Sequence, residues 1–293
     1  MSATTCILIV LLLRFVQGYF GKQQSIYYPQ TVRGRIWVLA VSDLLSTAAA
    51  VVVWAMDGFE ATLSVATVIC AALSGLALVA ATLFGVLAMQ SGTMALSSVA
   101  GTAGMLVPCI VGIWLFNEPV HPIVWLLIAI LLGSIYWLGR VSREVCPRIS
   151  GGTVLLLIGS FFANGVTMVC QKYVAVYRPE DSVALFSMLT FAVPAVILGV
   201  GAFLPVYRER GEKPNQYLWI SIFILAIAVT LINQFATVAG KTANSAVLFA
   251  IIGGGATVIT TLIGAMFYKE KITPRIAIGI LLCIGALIGI KCF

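Results

Sequence analysis

Three sets of polar residues stand inside otherwise apolar runs. Arg14, Gln17, Gly21 and Gln24 recur at spacings of 3, 4 and 3, which places them on one face of an α-helix. Asn164, Thr167 and Gln171 repeat the pattern later in the chain, and Thr230, Asn233 or Gln234, and Thr237 form a third stripe. Amides and hydroxyls bind and orient a solute; they do not cleave one. The one fixed charge among them, Arg14, suits an anionic group such as a carboxylate. The competing reading is hydrogen bonding between helices without solute contact.

Asp43 is the only acid well inside an apolar run. It is a candidate partner for Arg14, which would lower the cost of burying both, or a proton site that couples movement to a gradient. Glu118 and Glu270 instead stand at charged corners, each followed four residues later by Pro. Pro is tolerated in a first helical turn and a carboxylate there is stabilised by the helix dipole. Both read as caps and hinges more than as ligands. His121 is the only histidine, and no acid–histidine–nucleophile set accompanies it, so an enzyme is not expected. No G-x-x-x-x-G-K-[ST] occurs, so no ATP-binding loop is expected. The seven cysteines form no CxxC and read as buried thiols. No metal and no cofactor are expected.

The elements that carry these residues are set by composition. Of 293 residues 61% are hydrophobic and 9% charged, against about 25% charged in a typical soluble domain. The chain is expected to be an all-α integral membrane protein. A span needs about 20 apolar residues. Ten segments qualify, near 4–24, 36–56, 64–88, 93–116, 122–140, 152–174, 182–205, 217–239, 243–268 and 273–291. The first lacks a positive n-region and is interrupted by Arg14, so it is read as a retained helix and not a signal peptide. Small residues fill the fourth (Ser97, Gly101, Gly104) and the ninth (Gly253 to Gly255). They permit close helix approach, or let the ninth helix bend around a solute. Trp37, Trp54, Trp114, Trp125, Trp137 and Trp219 lie near segment ends, where interfacial anchoring is ordinary. The net charge of +7 suits anionic headgroups. Without a basic run interleaved with aromatics, nucleic acid is not an expected partner.

The chain also repeats. Gly112, Phe116, Glu118, Pro122 and Gly133 have the spacing of Gly264, Tyr268, Glu270, Pro274 and Gly285. Phe15, Gln17, Gly18 and Gln24 likewise match Phe162, Asn164, Gly165 and Gln171. This gives two five-helix units, 1–146 and 147–293. An odd number of spans inverts the second unit relative to the first. Inverted repeats mark secondary transporters, with the site near the midplane between halves.

The paired corners Leu115-Phe-Asn-Glu118-Pro-Val and Phe267-Tyr-Lys-Glu270-Lys-Ile-Thr, with the stretch from Phe235 to Ala246, resemble the EamA repeats of the drug/metabolite transporter superfamily. The resemblance covers essentially the whole chain. It implies ten helices and alternating-access movement of small organic solutes. The expectation is therefore a multi-pass plasma-membrane exporter or exchanger of metabolites, monomeric or homodimeric. The alternatives are a channel or ion carrier, or a non-transporting scaffold. Lys and Arg are concentrated in the odd-numbered loops, which puts those loops in the cytoplasm and both termini outside. Members of the resembled family are generally described with cytoplasmic termini, and both orientations stand.

Overall fold

Hydrocarbon offers the backbone no outside partner, so an apolar segment must bond its N–H and C=O groups within itself, as a helix does. The computed structural model describes residues 2–29, 31–91, 101, 103–116, 121–145, 151–203, 215–269 and 273–292. Among them all regular structure is helical: α1 (Ala3–Tyr27), α2 (Val32–Met56), α3 (Val65–Ser91), α4 (Leu106–Phe116), α5 (Pro122–Val145), α6 (Gly151–Tyr177), α7 (Val183–Phe203), α8 (Gln216–Gly240), α9 (Ser245–Tyr268) and α10 (Pro274–Cys292). Seven of these, α1 to α3 and α6 to α9, are long and apolar enough to cross a membrane. Within α5 and α10 the apolar stretches are shorter, Pro122–Ser134 and Ala277–Ala286. Glu118 and Glu270, and the first part of the fourth expected segment, lie outside the described residues.

Several helices outrun their apolar segments because polar residues cap them. Ser2 Oγ accepts from Thr5 N at 3.2 Å, Thr31 Oγ1 from Gly34 N at 3.2 Å, and Asn215 Oδ1 from Tyr217 N at 3.1 Å. Each satisfies a donor that the first helical turn leaves open. His121 does the same at the start of α5, its Nδ1 accepting from Ile123 N at 3.3 Å. Near helix ends Trp54 donates to Glu60 O at 2.8 Å and Trp137 to Arg275 O at 3.1 Å, as interfacial indoles do.

Most of the helix pairings come in matched sets. α1 packs on α8, α9 and α3; α6, five places on, packs on α3, α4 and α8. α2 packs on α8 as α7 packs on α3. The pairs α2–α7, α4–α9 and α5–α10 map onto themselves under the same exchange.

Lipid is as apolar as a leucine, so helices associate by close approach and not by hydrophobic drive. Pro194 lies inside α7, and its missing N–H deprives the Thr190 carbonyl of its helical partner. Gly75 of α3 abuts that carbonyl: a Cβ on Gly75 would lie 2.1 Å from Thr190 O and 2.9 Å from Pro194 Cδ. A glycine hydrogen occupies that direction instead, the arrangement of a Cα–H···O contact. At Gly104, in the turn before α4, a Cβ would lie 2.7 Å from Phe161 O, so the chain entering α4 meets α6 as closely. Gly255, of the expected flexible run, faces Leu11 of α1, and α9 is an uninterrupted helix through it. We predict that Gly75→Ala destabilises the protein by about 1–3 kcal/mol, as overpacking does. Gly133→Ala, with nothing within 4 Å of the new methyl, should shift stability by under about 1 kcal/mol. Thermal unfolding of both variants in detergent checks this.

Candidate functional site

A cavity of about 250 Å³ lies among α1, α2, α3, α6, α7, α8 and α9. α1 lines it with Arg14, Gln17, Gly21 and Gln24, and α6 with Asn164, Thr167 and Gln171. α2 brings Asp43 and α8 brings Asn233. The first two stripes thus meet in one place, but of the third only Asn233 lines the cavity; Thr230, Gln234 and Thr237 do not. One step along a helix turns the side chain by about 100°, and Gln234 sits behind Asn233 against α7. Sequence reasoning missed Ser42, Ser46, Thr82, Ser160 and Thr260, which also line the cavity. The 42–43–46 spacing around Asp43 was the available signal for two of them.

The amides are held by a directional chain. Gln171 Nε2 donates to Asn233 Oδ1. Asn233 Nδ2 donates to Ser187 Oγ at 3.0 Å, and Ser187 Oγ donates to Gln234 Oε1 at 3.1 Å. The chain joins α6, α8 and α7, so each amide is oriented by the next. Asn164 is different: its Nδ2 donates to Ser160 O at 2.8 Å and Ser160 Oγ at 3.3 Å, both on its own helix. Thr230 links α8 to α2, donating to Ser46 O at 3.1 Å as well as to Ala226 O.

The Arg14–Asp43 ion pair, one of the expected roles for Asp43, does not form. Arg14 Nη1 donates instead to Gln17 Oε1 at 2.7 Å, one turn along the same helix. Arg14 Nε and Asp43 Oδ2 are buried with no hydrogen-bond partner. The Tyr28 hydroxyl, at the α1–α2 corner, is likewise buried without a partner. Burial pushes the Tyr28 phenol above its ordinary value; the Arg35 charge lowers it and the Asp43 charge raises it further. Among the described residues no group of three His, Cys, Asp or Glu could hold a metal ion.

At one end of the bundle the corners 57–64 and 178–182 are tied together. Asp181, buried, accepts from Ser64 N at 3.1 Å, from Ser64 Oγ at 2.7 Å and from Thr67 Oγ1. Thr62 Oγ1 donates to Glu180 O at 2.8 Å, and Ser182 N to Thr62 O at 3.0 Å. Lys241 Nζ reaches Pro179 O at 3.0 Å. Burial alone would raise the Asp181 carboxyl, but the Thr67 and Ser64 hydrogen bonds and the nearby Arg178 hold it below the ordinary carboxylate value. Lys172, which reads in sequence as a loop charge, is buried in α6 and donates to Gly240 O at 3.1 Å and Ala243 O at 2.6 Å. A cation at the C-terminus of α8 is favoured by the helix dipole.

Residues 151–292 match the EamA-like transporter family. No curated protein matches the sequence. A crystal structure of a protein 13% identical in sequence superposes with a TM-score of 0.75, covering 99% of this chain and 96% of that one. At that identity the likeness speaks for the fold alone.

Two outcomes follow from this geometry. Asn233→Ala strands the Gln171 amide and takes one of its two bonds from the Ser187 hydroxyl, and should cost about 1–3 kcal/mol of stability. Asn164→Ala, which breaks bonds within one helix, should cost less; thermal unfolding of the two variants in detergent ranks them. The Asp181 clasp follows from its depressed carboxyl. Its contribution is fully present above the unfolded carboxylate value of about 3.9 and is lost as pH falls through the lower folded value. Hydrogen exchange at the Ser64 and Ser182 amides, corrected for intrinsic rates, should show protection unchanged from neutral pH to about 4 and lost in stronger acid.

Proposed function

We propose, from the match of residues 151–292 to the EamA-like transporter family, that the whole chain is a secondary transporter of small organic solutes. In this reading residues 1–146 and 147–293 are inverted five-helix units that rock about the cavity. The observation that carries it is the meeting of α1 and α6, five places apart, whose polar stripes enter one cavity. The matched pairings of α1 with α8 and of α6 with α3 support the same exchange axis. Inverted repeats with a site at their interface are the architecture of alternating access.

The chemistry of the lining sets the cargo. A cavity of about 250 Å³ falls just below the roughly 300–1,000 Å³ of drug-sized ligand sites, which suits a small metabolite. Side-chain amides, hydroxyls and one guanidinium suit a polar organic solute better than a bare ion. The ties of Asp181 and Lys241 fit a closed gate at the end that carries corners 57–64 and 178–182. The protein acts as an exporter or exchanger in the plasma membrane, with Arg14, Gln17, Gln24, Asn164, Thr167, Gln171 and Asn233 as solute ligands and Gln234 as a support for Asn233.

Flux of pooled metabolites into liposomes carrying the purified protein tests this. Gln17→Ala, Asn164→Ala and Asn233→Ala should each reduce flux of the transported compound, by up to about tenfold for the loss of one hydrogen bond. Normal transport by all three variants would show that the cavity is not the pathway.

A further inference from the structure

Two cysteines far apart in sequence face each other between α3 and α6. Cys70 lies on α3 and Cys170 on α6, and both are free thiols. The register of the two helices brings them together. Gly159 of α6 abuts the Phe84 ring of α3, where a Cβ would lie 2.7 Å from Phe84 Cδ2. Further along α6, Thr167 Oγ1 donates to Ser74 O of α3 at 3.4 Å. Numbers rise on α6 as they fall on α3, so the two helices run antiparallel. One more turn in the same direction reaches Cys170 on α6 and Cys70 on α3. Their thiols share a hydrogen bond. Beyond them the register ends at the clasp, where Thr67 near the start of α3 donates to Asp181 past the end of α6.

The two thiols differ in access. Cys170 is 7% exposed, whereas Cys70 is partly exposed at the edge of the cluster of Ala71, Val174 and Phe186. An oxidant therefore reaches Cys70 first. A hydroperoxide, which dissolves in a bilayer, is the fitting class. The Cys70 sulfur attacks the hydroperoxide, the O–O bond breaks, and an alcohol leaves with the proton; Cys70 is left as a sulfenic acid. The Cys170 sulfur then attacks the Cys70 sulfur. The S–S bond forms, the S–O bond breaks, and water leaves with the Cys170 proton. The two thiols give up two electrons and the hydroperoxide takes both. The sulfurs have only to close from hydrogen-bond contact to a bond of about 2.05 Å.

We propose that Cys70 and Cys170 form a redox modification site whose disulfide fastens α3 to α6 and holds the clasp end of the bundle shut. The pair lies about 8–11 Å inside the helix ends that carry the clasp. Water can replace the hydrogen bonds of the clasp, but only a reductant releases a disulfide. The bond follows from the helix register; the arrest of flux that it brings rests also on the transporter reading.

Full-length protein in liposomes, treated with tert-butyl hydroperoxide, tests this. Peptide mapping after free thiols are blocked with N-ethylmaleimide should recover Cys70 joined to Cys170, and dithiothreitol should separate them. Hydrogen exchange at the Ser64 and Ser182 amides should slow on oxidation and recover on reduction. Flux of a compound that the reduced protein carries should fall to background and return with dithiothreitol. Cys70→Ser should give no joined pair and keep its flux in peroxide. Cys70 recovered unreacted, as a sulfinic acid, or joined to another cysteine would overturn the site. A joined pair that leaves exchange or flux unchanged would overturn the lock. Should Cys70→Ser fail to fold, reversal of the wild-type effects by dithiothreitol decides. A reduced protein that carries no compound overturns the transporter reading instead, and the peptide map and the exchange rates still decide this proposal.

Discussion

A polar side chain in hydrocarbon has no water to turn to, and this constraint sorts every hydroxyl and amide in the bundle. Most threonines settle the matter within their own helix. Thr47, Thr190, Thr237 and Thr261 each donate to the carbonyl four residues back. Such a side chain is satisfied wherever its helix goes, and it says nothing about neighbours. The bonds that cross between helices are fewer, and several gather around the cavity: Gln171 to Asn233, Asn233 to Ser187, Thr230 to Ser46. These are the bonds that depend on how the helices are arranged.

The same scarcity of driving force explains where backbones touch. With lipid as a competitor for every leucine, packing has to come from fit. Gly75 against the carbonyl that Pro194 orphans, and Gly104 against Phe161 O, are contacts no side chain could make. α3 meets α7 at the first, and the turn leading into α4 meets α6 at the second. The first has its counterpart five places on, α8 with α2. Pro194 weakens a helix locally and Gly75 fills the gap by absence, so the pair works as one feature.

Much of the cavity lining was legible from spacing alone. Period 3.6 put Arg14, Gln17, Gly21 and Gln24 on one face, and the structure brings that face into the cavity beside Asn164, Thr167 and Gln171. What spacing could not give was partners. Asn233 and Gln234 are equally polar neighbours, and only the placement of Ser187 on α7 decides which faces inward. Arg14 and Asp43 look complementary, yet the nearer acceptor for the guanidinium is Gln17 on its own helix. Lys172 sits close enough to the end of a segment to pass for a loop charge, and only the carbonyls of Gly240 and Ala243 account for its burial. The Asp181 clasp joins corners more than a hundred residues apart in sequence, and neither corner carries a motif that announces it.

That clasp has an energy suited to a gate. Three donors converge on Asp181, and Thr62 adds two more bonds across the same gap. These groups sit at corners, where water can replace the bonds they lose, so each contributes about 0.5–1.5 kcal/mol net. Together the five amount to roughly 2.5–7.5 kcal/mol. A conformational gap at the lower end of that range keeps the alternative state at about 1% of the population. Within the alternating-access reading, a solute that binds the two states with different affinity could shift such a balance. A closure built from buried leucines would be harder to reopen, because no solvent bond would compensate its loss. The even-numbered corners thus hold their end of the bundle with contacts that water can substitute, while the dry bonds around Asn233 keep the helices in register.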